Sequence, residues 1–172
     1  AVGFEANAGE ALSRGDAVYV SGVSGNKPVV MKADADDAAK MPAFGIAEDD
    51  ANLNANVEVV TFGTVYNIDT SAYTIGDELY VSTTPGVLTA TPPTGESAKL
   101  QNLGKVIRSH HSAGSIKVGG AGRSTAVPNL NHGHVFIGNA SNQAEQRALV
   151  LADISDYTSS PTSEINPPDL TN

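Results

Sequence analysis

The four histidines are the residues of this sequence best suited to coordination chemistry, and they fall in two close pairs, His110-His111 and His132-Gly133-His134. Along a strand, residues two apart share a face, so His132 and His134 would offer imidazole nitrogens to one metal ion. In a threefold assembly, three such pairs would supply six nitrogens. The competing reading is a set of histidines bonded locally beside turns. Two acidic clusters, Asp34-Ala35-Asp36-Asp37 and Glu48-Asp49-Asp50, carry the oxygens that calcium prefers. They lack the central Gly and closing Glu of a calcium loop, so solvated loops are expected there.

Other chemistries find little support. There is no Cys, which excludes disulfides, thiolate zinc sites and cysteine nucleophiles. The stretch "VGGAGRST" lacks the Lys and the glycine spacing of a phosphate loop and reads as a hinge. Ser, His and acidic residues are all present, but no Gly-x-Ser-x-Gly elbow holds a nucleophile. Carboxylate pairs for glycoside hydrolysis are set by distance in space, and the absence of Trp weakens a sugar-stacking surface. The sequence therefore predicts a protein that is not an enzyme and needs no cofactor.

The 172 residues carry a formal net charge of -9. Such a chain is repelled by nucleic acid, whose binding rests on Lys and Arg neutralising phosphates. No apolar run approaches the roughly 18 residues of a membrane span. The sequence opens on Ala1-Val2 rather than Met and shows no signal peptide, which predicts a processed chain or a piece of a longer one.

The elements that would position any site are announced by a repeat. Gly15-Asp16-Ala17-Val18-Tyr19-Val20-Ser21 matches Gly76-Asp77-Glu78-Leu79-Tyr80-Val81-Ser82. Further on, Val29-Val30 matches Val87-Leu88, Phe44-Gly45-Ile46 matches Leu103-Gly104-Lys105, and Val57-Glu58-Val59 matches Ile116-Lys117-Val118. This is an internal duplication. Alternation puts Val18 and Val20 on one face of a strand, and Leu79 and Val81 on one face of its counterpart, so all four are expected in the core. Gly-Asp before each strand supplies a turn. Because the second copy keeps Gly-Asp without the Arg, turn geometry accounts for Arg14-Gly15-Asp16 better than display of an integrin-type tripeptide does. Short strands separated by turns predict an all-β fold: a small sandwich or barrel built from two similar β-units, related by a pseudo-twofold axis. The units span about 9–65 and 70–120 within a domain of residues 1–120. Residues 121–172 form a linker and an extended C-terminal arm.

That arm is poor in large apolar residues and ends in a Ser/Thr/Pro-rich stretch that cannot fold alone. Yet Val135, Phe136, Ile137, Leu149, Val150, Leu151 and Ile154 are too many apolar groups for a solvated tail. They are expected to form an oligomer interface, with a trimer favoured.

The order "GDAVYV", "FGIAEDDANLNANVEVVTFGTVYNI", "YTIGDELYVSTTPGVLTATPP", "LGKVI", "SIKVGG", across Gly9 to Gly120, resembles the small β-domains of tailed-phage capsid cement (decoration) proteins. The following "HGHVFIGNASNQAEQRALVLADISDY" is similar to linker and shaft segments of phage fibre proteins. Those are usually trimeric, and some carry His-x-His metal sites in series on the threefold axis; here the motif stands once. The resemblance implies a non-enzymatic structural protein on the virion surface, made in the host cytoplasm and stabilising the particle through subunit contacts. The implied partners are further copies of itself and the major capsid protein or other virion proteins. A receptor-binding adhesin, or a filament subunit exchanging strands, are the alternatives.

Overall fold

The computed structural model describes residues 1–95, 97–119, 124–125, 129–141 and 143–153. The chain divides into two compact units, Ala1–Asn129 and Leu130–Asn172. The regular structure of the described residues is almost entirely β, with helix confined to two 3-10 turns, Ala38–Lys40 and Leu151–Asp153. No helix among them is long and apolar enough to cross a membrane.

The larger unit begins with β1 (Val2–Ala8), β2 (Ala17–Ser24), β3 (Lys27–Lys32), β4 (Gly45–Ala47) and β5 (Asn56–Ile68). Pairing runs β1-β3-β2-β4-β5 and returns to β1, so these strands close a five-stranded barrel. The closing contact is parallel, Asn7 and Ala8 lying beside Val29 and Val30; the other four pairings are antiparallel. The second half of β5 then starts a second barrel with β6 (Glu78–Val81), β7 (Leu88–Thr89), β8 (Leu100–Arg108) and β9 (Gly114–Val118), in the order β5-β9-β8-β6-β7. This second path does not close. A short β10 (Ser124–Thr125) pairs with the start of β8.

The duplication is visible bond by bond. Gly15 and Gly76 have φ of 96° and 97°, a region that only glycine enters freely, and each makes the turn into its strand. Asp16 Oδ2 accepts from the Ser13 N–H at 2.8 Å, and Asp77 Oδ2 from the Thr74 N–H at 2.9 Å. The Gly15 N–H donates to Ala47 O (2.9 Å), and the Gly76 N–H to Val106 O (2.8 Å). Gly45 and Gly104 let the next strand approach closely: a Cβ at either would lie 2.5 Å from a carbonyl oxygen, of Val60 or of Lys117.

Those contacts correct the alignment of the last strand. Ile46 pairs with Val60, and Lys105 with Lys117, so Val59-Val60 corresponds to Ile116-Lys117. The sequence match to Val57-Glu58-Val59 was two residues out. A shift of two preserves facing, so the Val-x-Val pattern could not reveal it. The same pairings extend the correspondence to β1, whose Phe4 faces Val59 as Val65 of β5 faces Ile116.

Two clusters form the core. One fills the closed barrel: Ala6, Val18, Val30, Ala47 and Val59 are among its residues. The other joins the interior of the second barrel, including Leu79, Val81, Leu103 and Ile116, to Ala17, Ile46 and Val60 from the outside of the first. Where the second barrel lies over them, β2, β4 and β5 of the first are therefore buried on both faces at Ala17, Ile46 and Val60, whereas β1 and β3 bury only their inward residues. The corresponding outside positions of the second barrel are Glu78, Lys105 and Lys117, none of them buried. An axis relating the two units as equals would bury the same face on both, so the expected pseudo-twofold is replaced by a head-to-tail contact. Three of the four expected core residues are buried, but Val20 is 44% exposed. A register break between Val20 and Gly22 ends the alternation, and β2 continues to Ser24 as an exposed ribbon with β3.

The smaller unit contains β11 (His134–Gly138) and β12 (Ala144–Ala148), an antiparallel hairpin.

Candidate functional site

The polar groups singled out by sequence are occupied with holding turns. Asp34 Oδ1 accepts from the Asp36 N–H and Asp37 Oδ1 from the Ala39 N–H, while Lys40 lies 3.9 and 3.6 Å from the two carboxylates. Asp50 Oδ1 accepts from the Arg14 N–H (2.8 Å), and the Arg14 guanidinium bonds Asp49. Asp16 pairs with Lys32 at 3.5 Å as well as capping its turn. The Arg14-Gly15-Asp16 tripeptide is thus tied to its own fold at both charged ends.

His110 Nδ1 accepts from the Ser112 and Ala113 N–H groups at 3.1 and 3.0 Å, and its ring stacks on His111 with centroids 4.5 Å apart. His132 lies in the turn before β11, with Gly133 at φ 80°, so the strand alternation that would aim it alongside His134 does not reach it. His134 Nδ1 is buried without a hydrogen-bond partner. Among the described residues no three His, Asp or Glu side chains group as a metal site. Of the Gly-rich stretch, residues 120–123 lie outside the described residues.

In the hairpin unit, Val135 and Ile137 are half-buried, while Phe136, Leu149 and Val150 are exposed. Leu151 opens the 3-10 turn, and Ile154 lies outside the described residues. Arg147 grips Asp153 with both terminal nitrogens, and the Val150 N–H donates to the same carboxylate. These bonds, the Arg147 side chain first, draw the Asp153 carboxyl down to about 2.

The opening in the second barrel forms a cleft of about 220 Å³ whose walls include Asp16, Asp69, Tyr73, Gly86 and Leu88. At the equivalent seam of the first barrel, the Gly9 N–H donates to Val30 O (2.8 Å); here the Tyr73 hydroxyl donates to Leu88 O (2.8 Å). The chain turns away because Asn67 adopts φ 57° at a bulge between Tyr66 and Ile68. Asp69 Oδ1 then accepts from the hydroxyl and N–H of Ser71, which hold its carboxyl below the ordinary value. Burial of the Tyr73 phenol, helped by the nearby Asp69 carboxylate, raises its pKa.

Sequence reasoning missed a further surface, the outside of the second barrel. Lys105 and Lys117 stand directly opposite each other on β8 and β9. Glu78 reaches within 3.9 Å of Lys105, and the Lys117 ammonium sits 3.9 Å from the centre of the Phe62 ring. Tyr66 and Ile107 project from the same face and are 60% and 45% exposed. Correct alignment of the two repeats was the signal for this face, since it sets Ile46 and Val60 against Lys105 and Lys117.

A model of the phage cement protein family matches residues 20–120. No curated protein matches the chain. Among solved structures it is similar to the head fiber gp8.5 N base in bacteriophage phi29, with 15% identity and a TM-score of 0.44, over 68% of this chain and 92% of that one.

Proposed function

The chain belongs to the phage cement protein family and is a non-enzymatic structural protein of the tailed-phage particle, and we propose that it decorates the particle surface and reinforces the shell by bridging subunits. The observation that carries this reading is the family match across the whole second repeat and most of the first. The physical character of the larger unit supports it. One core cluster joins the interior of the second barrel to the outside of the first, and the Asp16, Asp50 and Asp77 carboxylates are engaged in holding turns. A body of this kind adds buried interface to an assembly; lasting contacts of that sort often exceed roughly 2,000 Å².

The oligomeric part of the proposal rests on the hairpin unit. Phe136, Leu149 and Val150 are exposed on a small unit whose described residues include no buried apolar side chain. Burying several such side chains between copies gains about 1.5–3 kcal/mol for each. The arrangement we favour is a trimer in which Val135, Phe136, Ile137, Leu149, Val150, Leu151 and Ile154 form the contact.

Two measurements test these points. Shells assembled without the chain should bind it when it is added back, and should then resist heat or osmotic shock better than bare shells. A chain that neither binds nor protects shells would end the decoration reading. Light scattering should give a trimer for the full chain and a folded monomer after removal of residues 130–172; an unchanged oligomer after truncation would move the contact to the barrels.

A further inference from the structure

The first repeat shows how the outer face of this barrel can be used. At its positions Ala17, Ile46 and Val60, the face is apolar and wholly buried against the second barrel. The same positions in the second repeat are Glu78, Lys105 and Lys117, and none of the three is buried among the described residues. Three charged substitutions would make an ordinary solvated face if the remaining residues were polar too. Instead Phe62, Tyr66 and Ile107 stand exposed around them, at 53%, 60% and 45%.

The lysines add a second argument. Like charges placed directly opposite on neighbouring strands destabilise a sheet. Lys105 and Lys117 occupy such a pair at Lys105↔Lys117, and a single carboxylate, Glu78, stands near one of them. In a chain of net charge -9, this is a local concentration of positive charge, and the exposed Phe62, Tyr66 and Ile107 lie on the same stretch of sheet together with the polar Thr64 and Ser115. Nucleic acid is a poor occupant, because two lysines do not offset the repulsion of so acidic a chain. A protein surface with carboxylates suits the pair, and aromatic or aliphatic groups of that surface suit the surrounding residues.

We propose that the outer face of the second barrel is the surface by which the chain docks on the shell protein. The shell's patch would carry carboxylates opposite Lys105 and Lys117 and apolar side chains against Phe62, Tyr66 and Ile107. This rests on the reading of the chain as a shell-binding structural protein. The face then does between molecules what its counterpart in the first repeat does within one.

The test uses the full chain and purified shells that lack it, with binding followed by co-sedimentation at several salt concentrations. Lys105→Glu/Lys117→Glu should bind at least about tenfold more weakly than the unaltered chain, whose own binding should weaken as salt rises. Thermal melting of the variant should match the unaltered chain, since both positions are off the core. Tyr66→Ala should weaken binding without altering its salt dependence. Equal binding by the charge-reversed chain would overturn the docking face while leaving the decoration role intact. Failure of the unaltered chain to bind would overturn both. Charge reversal that breaks self-association in light scattering, yet leaves shell binding unchanged, would make a second copy the occupant and refute the proposal.

Discussion

The first barrel closes on itself and the second does not, although both are written with the same turns. In the first, β1 reaches β3, and Asn7 and Ala8 pair with Val29 and Val30. In the second, the bulge at Asn67 and the Asp69–Ser71 turn divert the chain, and Tyr73 spans the gap with a side-chain bond. The open barrel is completed by its neighbour: the Ala17 N–H donates to Gly86 O, the Gly86 N–H to Ala33 O, and the Ala35 N–H to Ser82 O. The same repeat can therefore close on itself or be completed by another, depending on a few residues at one seam. What a repeated sequence conserves here is the turn and the inward face; the outward face and the seam are where the copies acquire separate tasks.

The sharpest way to break this comparison is to exchange the outward residues. Ile46→Lys imports the second repeat's residue into the first, where the site is buried. It should destabilise the larger unit by at least about 4 kcal/mol, because an unpaired ammonium would be driven into the shared core. The reverse exchange, Lys105→Ile, should change stability by no more than about 0.5 kcal/mol, because that position faces solvent. Denaturant unfolding of the two variants checks both figures, and equal effects would mean the two faces are not distinguished as described.

A milder probe acts on the seam. Tyr73→Phe removes the one bond from the phenol to Leu88 O and should cost about 1 kcal/mol, with amide exchange speeding in β7 ahead of β3. Uniform loss of protection in both barrels would show that the seam is no weaker in the second.

The smallest effect expected is a pH response at the same seam. The Asp69 carboxyl is held below the ordinary 3.8, chiefly by the Ser71 hydroxyl and then by the Ser71 N–H. A depressed folded value means that the turn contributes its stability above the unfolded carboxylate pKa and loses it as pH falls through the lowered one. NMR titration should therefore show the Ser71 amide unchanged from neutral pH to about pH 4 and shifting below that. In the first barrel Asn7 does not titrate, so its paired amides should show no matching transition. A shift of Ser71 well above pH 4 would contradict the bond to Asp69.

The local features of this fold were legible in the sequence. Gly15-Asp16 and Gly76-Asp77 announce turns because the required φ and the Asp-to-backbone bond both lie within four residues. Alternation placed Val18, Leu79 and Val81 inward for the same reason. The two-residue error at Val57-Glu58-Val59 arose because register across β4 and β5 depends on Gly45 admitting the Val60 carbonyl, a contact between distant segments. Burial of Ala17, Ile46 and Val60 on the outward side depends on the second barrel lying over them, which no period-two pattern encodes. The His132–His134 pair was read as strand when a turn begins at His132. The lysine pair went unnoticed because each lysine alone reads as an ordinary solvated residue.

One strand has a mechanical consequence. β5 runs as one strand from Asn56 to Ile68, its first half belonging to the closed barrel and its second half to the open one. Its 13 residues extend about 40 Å. A pull on either barrel is carried into the other along covalent backbone, and the hydrogen bonds flanking β5 are loaded in shear, all together, rather than one after another. There is no linker to stretch first. A shell under internal pressure that gained such a clamp would gain stiffness as well as adhesion.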